Sequence, residues 1–266
     1  MKNTIIKTLS VILLISCVQK VPITGRKQVS LIPETEIMSM SFTEYDKFKA
    51  SNKILPANDQ RTMQVQQIGK KIQAAVEAFM KSKGLEKRIS GYKWEFNVAD
   101  DATVNAWCMP GGKVIVYTGL LPVTQDEASL AIVMGHEIAH AVARHGNERM
   151  SQGMAVQLGG IAISVAMQNK SKEVQNLFMQ SYGIGSQLGM LKYSRTHETE
   201  ADKMGLVFAA MAGYDPNSAI AFWERMAAQS GGQKPPELLS THPSDEQRIN
   251  DLKAFMSEAM KYYKKN

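Results

Sequence analysis

Apolar residues recur at two different periods along this chain, and the change of period marks out its parts. From about residue 58 to 82, Val65, Ile68, Ile72, Val76 and Phe79 return to one side of a helix. A shorter helical stretch, Pro33 to Asn52, precedes it. The period then drops to two: Tyr92-Lys93-Trp94-Glu95-Phe96-Asn97-Val98 alternates as a half-buried strand does. Asn105 to Met109 and Lys113 to Thr118 flank Pro110-Gly111-Gly112, which reads as a hairpin turn with Pro at i+1 and Gly at i+2. Helical spacing returns near residue 124. The first of these later helices is apolar nearly all round through Ala128 to Met134, so it is expected inside the domain. Thr124-Gln125-Asp126-Glu127 reads as its capping box, Pro122 as the end of the preceding strand, and Gly146 as a left-handed residue just past its close near His145. Further helices are expected at 156–167 (core or lid, too short for a membrane span), from 197, at 216–229 and at 244–263, with a Gly-rich hinge at 183–189. The pattern predicts an α+β fold: a mainly helical domain with a small sheet and hairpin just ahead of the buried helix.

That buried helix carries His136-Glu137-Ile138-Ala139-His140, a complete H-E-x-x-H. Residues four apart leave a helix about 40° from each other, so both imidazoles face one way and can grip a single Zn²⁺. Glu137, next to the first ligand, can reach water at the metal as general base. A catalytic zinc usually takes a third protein ligand. The metzincin continuation is excluded, because Ala143 and Gly146 stand where its Gly and His belong. His145 lies about 140° around a continued helix from His140 and reads as a polar helix end.

The third ligand is therefore expected to be an acidic residue further on. Glu148 follows the helix end too closely, and Glu173 sits in a polar connection. The cluster His197-Glu198-Thr199-Glu200-Ala201-Asp202 remains, opening a second apolar-periodic helix. Glu198 and Asp202 share a face, whereas Glu200 looks the opposite way. Glu198 is thus the ligand candidate and Asp202 a group that hydrogen-bonds the site or handles protons. Ala201 is small enough to let two helices approach.

Together these residues resemble the CaaX-prenyl-protease-type gluzincins, whose bacterial members include HtpX, LoiP and BepA. Glu198-Thr199-Glu200-Ala201-Asp202 matches their E-x-x-A-D element. Asn105 to Leu121, Ser194-Arg195, Thr241-His242-Pro243 and Arg248-Ile249 are similar as well, and Thr24-Gly25-Arg26-Lys27-Gln28 looks like the start of mature LoiP-type lipoproteins. The resemblance implies a zincin-type endopeptidase with one zinc on His136, His140 and Glu198. It makes Glu137 the general base and Asp202 a proton donor. It also makes His242 a histidine able to approach the metal and hold the enzyme inactive. Ser244-Asp245-Glu246-Gln247 offers His242 a plainer role, as the entry to a last helix with its own capping box.

Composition narrows the setting. The chain has 266 residues, 44% hydrophobic and 21% charged, which suits a globular domain. Its net charge of +6 is spread without a basic tract, so nucleic acid is not an expected partner. Met1 to Ser16 reads as a signal peptide, with Lys2 and Lys7 ahead of an apolar core. Leu14-Ile15-Ser16-Cys17 resembles a lipobox, making Cys17 the lipidated membrane anchor, 17–33 a tether and 34–266 the peptidase domain. Val18 favours the outer membrane by the enteric sorting rule. With Cys17 acylated, Cys108 has no partner for a disulfide, and its apolar surroundings make it no nucleophile. The expected setting is the bacterial cell envelope, lipid-anchored and facing the periplasm, with unfolded or extended polypeptides as substrates and envelope assembly machinery as a partner. A chaperone-like assembly factor is the rival reading. No tetratricopeptide array follows Asn266, which disfavours it.

Overall fold

The computed structural model describes residues 18–158, 172–182, 193–229, 237–242 and 246–264. The leader with Cys17, the 183–189 hinge, most of the 156–167 helix and the Ser244 capping box lie outside them. Two short strands open the described chain, β1 (Val18–Lys20) and β2 (Lys27–Val29), paired antiparallel. Helices α1 (Glu34–Ser51) and α2 (Gln60–Ser82) follow, close to the spans their periodicity predicts. The central sheet holds β3 (Glu95–Ala99), β4 (Ala106–Met109) and β5 (Lys113–Tyr117) in the order β3-β5-β4. β3 runs parallel to β5 and β4 antiparallel, so β4 is an edge strand. At the β4–β5 turn Gly111 and Gly112 have φ of 86° and 81°, and Gly112 N–H donates to Met109 C=O at 3.2 Å. Only glycine takes such angles cheaply, which is why the turn reads so plainly from sequence.

The sheet divides two cores, as strand alternation requires. Val114 and Val116 of β5 join a large core with Ile68, Ile72 and Phe79 of α2. Ile115 between them faces a second core, with Ile37 and Tyr45 of α1 and Trp107 of β4. Among the described residues the longer helices that follow are α3 (Glu127–Ala143), α4 (His145–Leu158), α5 (Lys172–Tyr182), α6 (Arg195–Met211), α7 (Ser218–Gln229), the short α8 (Glu237–Thr241) and α9 (Glu246–Ala259). The result is a mainly helical α+β fold of zincin type.

Three local expectations are corrected. The cap of α3 is Asp126, whose carboxylate accepts from Ser129 N–H at 2.6 Å. Thr124 instead ends a separate helical turn, Leu121–Thr124, in which Pro122 sits near the start rather than closing a strand. The left-handed residue after α3 is Arg144 (φ 64°), not Gly146. A non-glycine there costs roughly 1–2 kcal/mol, offset by bonds from the Arg144 guanidinium to Gln19 and the Arg88 carbonyl. Finally, the expected tether at 17–33 is folded from Val18 onward. Val21 enters the large core, and Gln28 is buried with its amide donating to the Ala143 carbonyl, at the end of α3.

Helices α3 and α6 cross where both lack a side chain. A Cβ on Gly205 would lie 2.8 Å from the His136 backbone nitrogen, and one on Gly135 would lie 2.9 Å from the Gly205 carbonyl oxygen. Ala201 is also buried, but the closest approach is this glycine pair. Backbones this close bring His136 and His140 of α3 within reach of Glu198 and Asp202 of α6.

Candidate metal centre

His136, His140, Glu198 and His242 converge, with one donor atom from each lying within 4.8 Å of the others. All four are buried. His136 Nε2 stands 3.1 Å from His140 Nε2 and 3.2 Å from His242 Nδ1. Glu198 Oε1 lies 2.9 Å from His242 Nδ1 and 3.3 Å from His140 Nε2. Zinc–nitrogen bonds of about 2.0–2.1 Å in a tetrahedron put neighbouring ligand atoms about 3.3 Å apart. The four separations, 2.9 to 3.3 Å, are close to the edges of such a tetrahedron.

The protons argue for the same ion. His136 Nδ1 lies 2.9 Å from an Asp202 carboxylate oxygen, which can only accept, so Nδ1 carries the hydrogen. His140 Nδ1 lies 2.9 Å from His145 Nδ1, and His145 Nε2 lies 3.0 Å from Glu200 Oε2. Burial lowers the His145 pKa to about 4, so this ring is neutral near pH 7. Its single proton must then be on Nε2, facing Glu200, and its Nδ1 accepts from His140. Both His136 and His140 are left with bare Nε2 lone pairs pointed at each other at 3.1 Å. A cation between them relieves that repulsion. The residues present therefore fit one zinc ion.

Glu137 is buried on the other side of His242, its Oε1 3.5 Å from His242 Nε2. Burial raises its pKa, with His242 pulling the other way. Glu198 is held well below the carboxylate range: burial opposes this, but His242 and Arg248 outweigh it. The His242 pKa is raised, since Glu198 and Glu137 overcome the cost of burying its charge. A cleft opens beside these groups, lined by Asn105, Trp107 and Cys108 of the edge-strand region and by Glu137, Tyr193 and His242. Cys108 is a free thiol whose pKa burial drives well up, in keeping with no nucleophilic role.

The sequence profile described as "Peptidase family M48" matches residues 66–256, which contain the whole constellation. The chain belongs to that family. Its donor set fits the one zinc ion that metallopeptidases of that family use. The M48 chain is 35% identical over 243 residues to the mitochondrial metalloendopeptidase OMA1 of Schizosaccharomyces pombe, covering 90% of this chain and 66% of that protein. It is 32% identical over 248 residues to the human mitochondrial metalloendopeptidase OMA1, covering 90% of this chain and 46% of the other. A putative beta-barrel assembly-enhancing protease of Vibrio cholerae is 34% identical over 160 residues, 59% of this chain and 33% of that one. The chain thus spans between about a third and two thirds of the length of these relatives.

His136, Glu137, His140, Glu198, Asp202 and His242, the site candidates from sequence, lie together here, but three supporting groups were missed or misjudged. His145 is fully buried against His140 rather than turned away. The helical-wheel estimate assumed one continuous helix, whereas the left-handed Arg144 breaks α3 and starts α4 in a new direction. Glu200 does face away from Glu198, yet it meets His145, Thr24 and Arg26. Arg248 donates to both Asp202 oxygens at 2.8 and 2.7 Å and lies 3.4 Å above the Trp223 ring. One signal was available in advance: the chain has only five histidines, and all five are buried around this point.

Proposed function

We propose that the chain is an endopeptidase that cuts extended polypeptide using one zinc on His136, His140 and Glu198. The observation that carries this reading is the tetrahedral donor set with the buried Glu137 carboxylate beside it. Zinc supplies Lewis acidity, polarising the scissile carbonyl and acidifying water. Glu137 is placed to take the proton from water and hand it to the leaving amine. Its upward-shifted pKa suits that exchange near neutral pH. Asp202 is committed to His136 and Arg248, so its task is to orient His136, and the proton-donor role expected from the resemblance falls to Glu137. β4 at the sheet edge borders the cleft, where a substrate strand can add by main-chain pairing with little sequence preference. Glu137→Gln should keep zinc and fold while cleavage of an unfolded protein substrate falls roughly 10²-fold or more. Unchanged cleavage would remove Glu137 from the mechanism.

His242 occupies the fourth corner of the donor set, where a catalytic zinc keeps its open position. This supports a latent resting enzyme, in which substrate displaces an imidazole. His242→Ala should then raise basal cleavage with zinc content unchanged. A fall in activity would mark His242 as a donor to the oxyanion, and no change would leave it as a helix entry.

The lipobox-like Leu14-Ile15-Ser16-Cys17 and the similarity to the Vibrio cholerae protease support a lipid-anchored envelope enzyme acting on misassembled proteins. The mitochondrial relatives support the peptidase class and leave the compartment to experiment. Among the described residues no helix is long and apolar enough to cross a membrane. Cys17→Ser should release the protein from the membrane fraction, and a variant that stays bound would reject the anchor. The chaperone-like reading predicts instead that Glu137→Gln still restores outer-membrane protein assembly in cells.

A further inference from the structure

The Thr24-Gly25-Arg26-Lys27-Gln28 segment has no part in the chemistry above, yet it is fastened to the metal centre from behind. Arg26 Nε and Nη2 donate to the two Glu200 oxygens, both at 2.9 Å, and Thr24 Oγ1 donates to Glu200 Oε1 at 2.6 Å. The same guanidinium reaches Glu148, from Nη1 at 2.8 Å and Nη2 at 2.7 Å. Glu148 in turn meets His197 at 3.0 Å, whose ring stacks on His145 with centroids 4.5 Å apart. Glu148 and Glu200 are almost fully buried. Two carboxylates this close need a shared cation, and a planar fork serves both at once, as a lysine cannot. The hairpin is also pinned to the end of the zinc helix, through the Gln28 amide on the Ala143 carbonyl.

We propose that the β1–β2 hairpin is a clamp on the metal centre. Arg26 and Thr24 are positioning residues that fix Glu200, and Glu200 through His145 fixes the orientation and tautomer of the zinc ligand His140. The physical chain is continuous. If Glu200 is free to turn, His145 loses the acceptor that holds its proton on Nε2. Its Nδ1 is then no longer kept as an acceptor, and His140 is no longer held with its Nε2 lone pair toward the metal. Groups that orient a ligating histidine typically change metal affinity by about 10–100-fold when removed. Docking of the hairpin therefore sets how tightly zinc is held, although no hairpin atom belongs to the donor set.

The clamp rests on the zinc assignment of the site, so zinc stoichiometry of the wild-type full chain is measured first, with His136→Ala as the variant that should lose the most affinity. If the wild type binds no zinc, the site assignment fails before the clamp is tested. Competition against a chelator of known affinity then reads the clamp. Arg26→Ala should release zinc about tenfold more readily, and Arg26→Lys should fall between it and wild type. Arg26→Ala combined with Glu200→Gln should be no worse than Glu200→Gln alone, because the two act in series. Arg61→Ala, which removes an exposed arginine paired with Asp59, should leave affinity unchanged. A hairpin with only a structural role would lower the thermal midpoint of the zinc-free chain and leave zinc affinity as in wild type; that result overturns the clamp. Should Arg26→Ala fail to fold, His145→Gln carries the test, and wild-type zinc affinity in that variant also overturns it.

Discussion

The two α3 histidines of the candidate metal centre, His136 and His140, are backed in parallel ways on their two sides. Behind His136 stands Asp202, held by Arg248 of α9 near the end of the chain. Behind His140 stands Glu200, held by Arg26 near its beginning. Both carboxylates come from α6, two residues apart and so on opposite sides of it. The difference is the number of links. Asp202 touches its histidine directly, with no ring between the carboxylate and the ligand. Glu200 acts through the neutral ring of His145, which passes on orientation but dilutes the charge. The first side is thus the stronger electrostatic support, and the second is the one open to adjustment, because it ends in a small surface hairpin rather than in a core helix.

The comparison breaks at several depths. The largest effect is expected from the donors themselves: His136→Ala or Glu198→Ala should weaken zinc more than any variant behind them, because each removes one donor of the cluster, and chelator competition checks this. Next comes the asymmetry. Asp202→Asn should weaken zinc toward the upper part of the usual 10–100-fold range and Glu200→Gln toward the lower part; equal losses in a chelator competition would mean that His145 relays charge as well as direct contact does. A smaller effect should come from the spacing of the helices that both sides share. Gly205→Ala places a methyl 2.8 Å from the His136 backbone nitrogen and should cost about 1–3 kcal/mol in denaturant unfolding, with weaker zinc binding on both sides equally.

The smallest expected effect is a dependence on acid. Hydrogen bonds from Arg26 and His197 hold the Glu148 pKa at about 2, and those from His145, Arg26 and Thr24 hold Glu200 at about 2, each against the cost of burial. Because both folded pKa values lie below the unfolded value of about 4.5, this stabilisation is complete above pH 4.5 and is lost as pH falls through 2. His145 adds to it with the same sign: its folded pKa of about 4 lies below the usual 6.5, so the unfolded chain gains a proton first as pH drops from 6.5 to 4. Arg26→Ala should make the thermal midpoint less sensitive to pH across the lower window, and a profile identical to wild type would detach Arg26 from these carboxylates.

Some of this was legible in the chain itself. The H-E-x-x-H spacing puts His136 and His140 on one face with Glu137 beside them because helix geometry over four residues is fixed by local backbone chemistry. The same reasoning separated Glu198 from Glu200, and Glu198 is the one that lies among the clustered donors. The Pro110-Gly111-Gly112 turn and the strands beside it were equally local. Errors began where a single residue redirects the chain. Nothing in Arg144 announces a left-handed conformation, which is paid for by distant partners, Gln19 and Arg88. With that break unseen, His145 was placed on the wrong side and the backing of His140 was lost. Likewise, the segment from Val18 to Ser30 has too few apolar residues to predict a packed hairpin; its place is decided by ion pairs to Glu148 and Glu200, more than a hundred residues away.

By itself, then, the sequence determined the helix that carries His136, Glu137 and His140, the second helix that supplies Glu198, and the strands and turn ahead of them. These follow from periodicity and turn chemistry acting over a few residues at a time. Only the tertiary structure decided that α3 and α6 cross at Gly135 and Gly205, that His242 closes the fourth corner of the donor set, and that the two ends of the chain supply the arginines behind the two zinc histidines. Those outcomes depend on buried charges finding partners across the fold, and a buried carboxylate is satisfied by any cation that packing brings near.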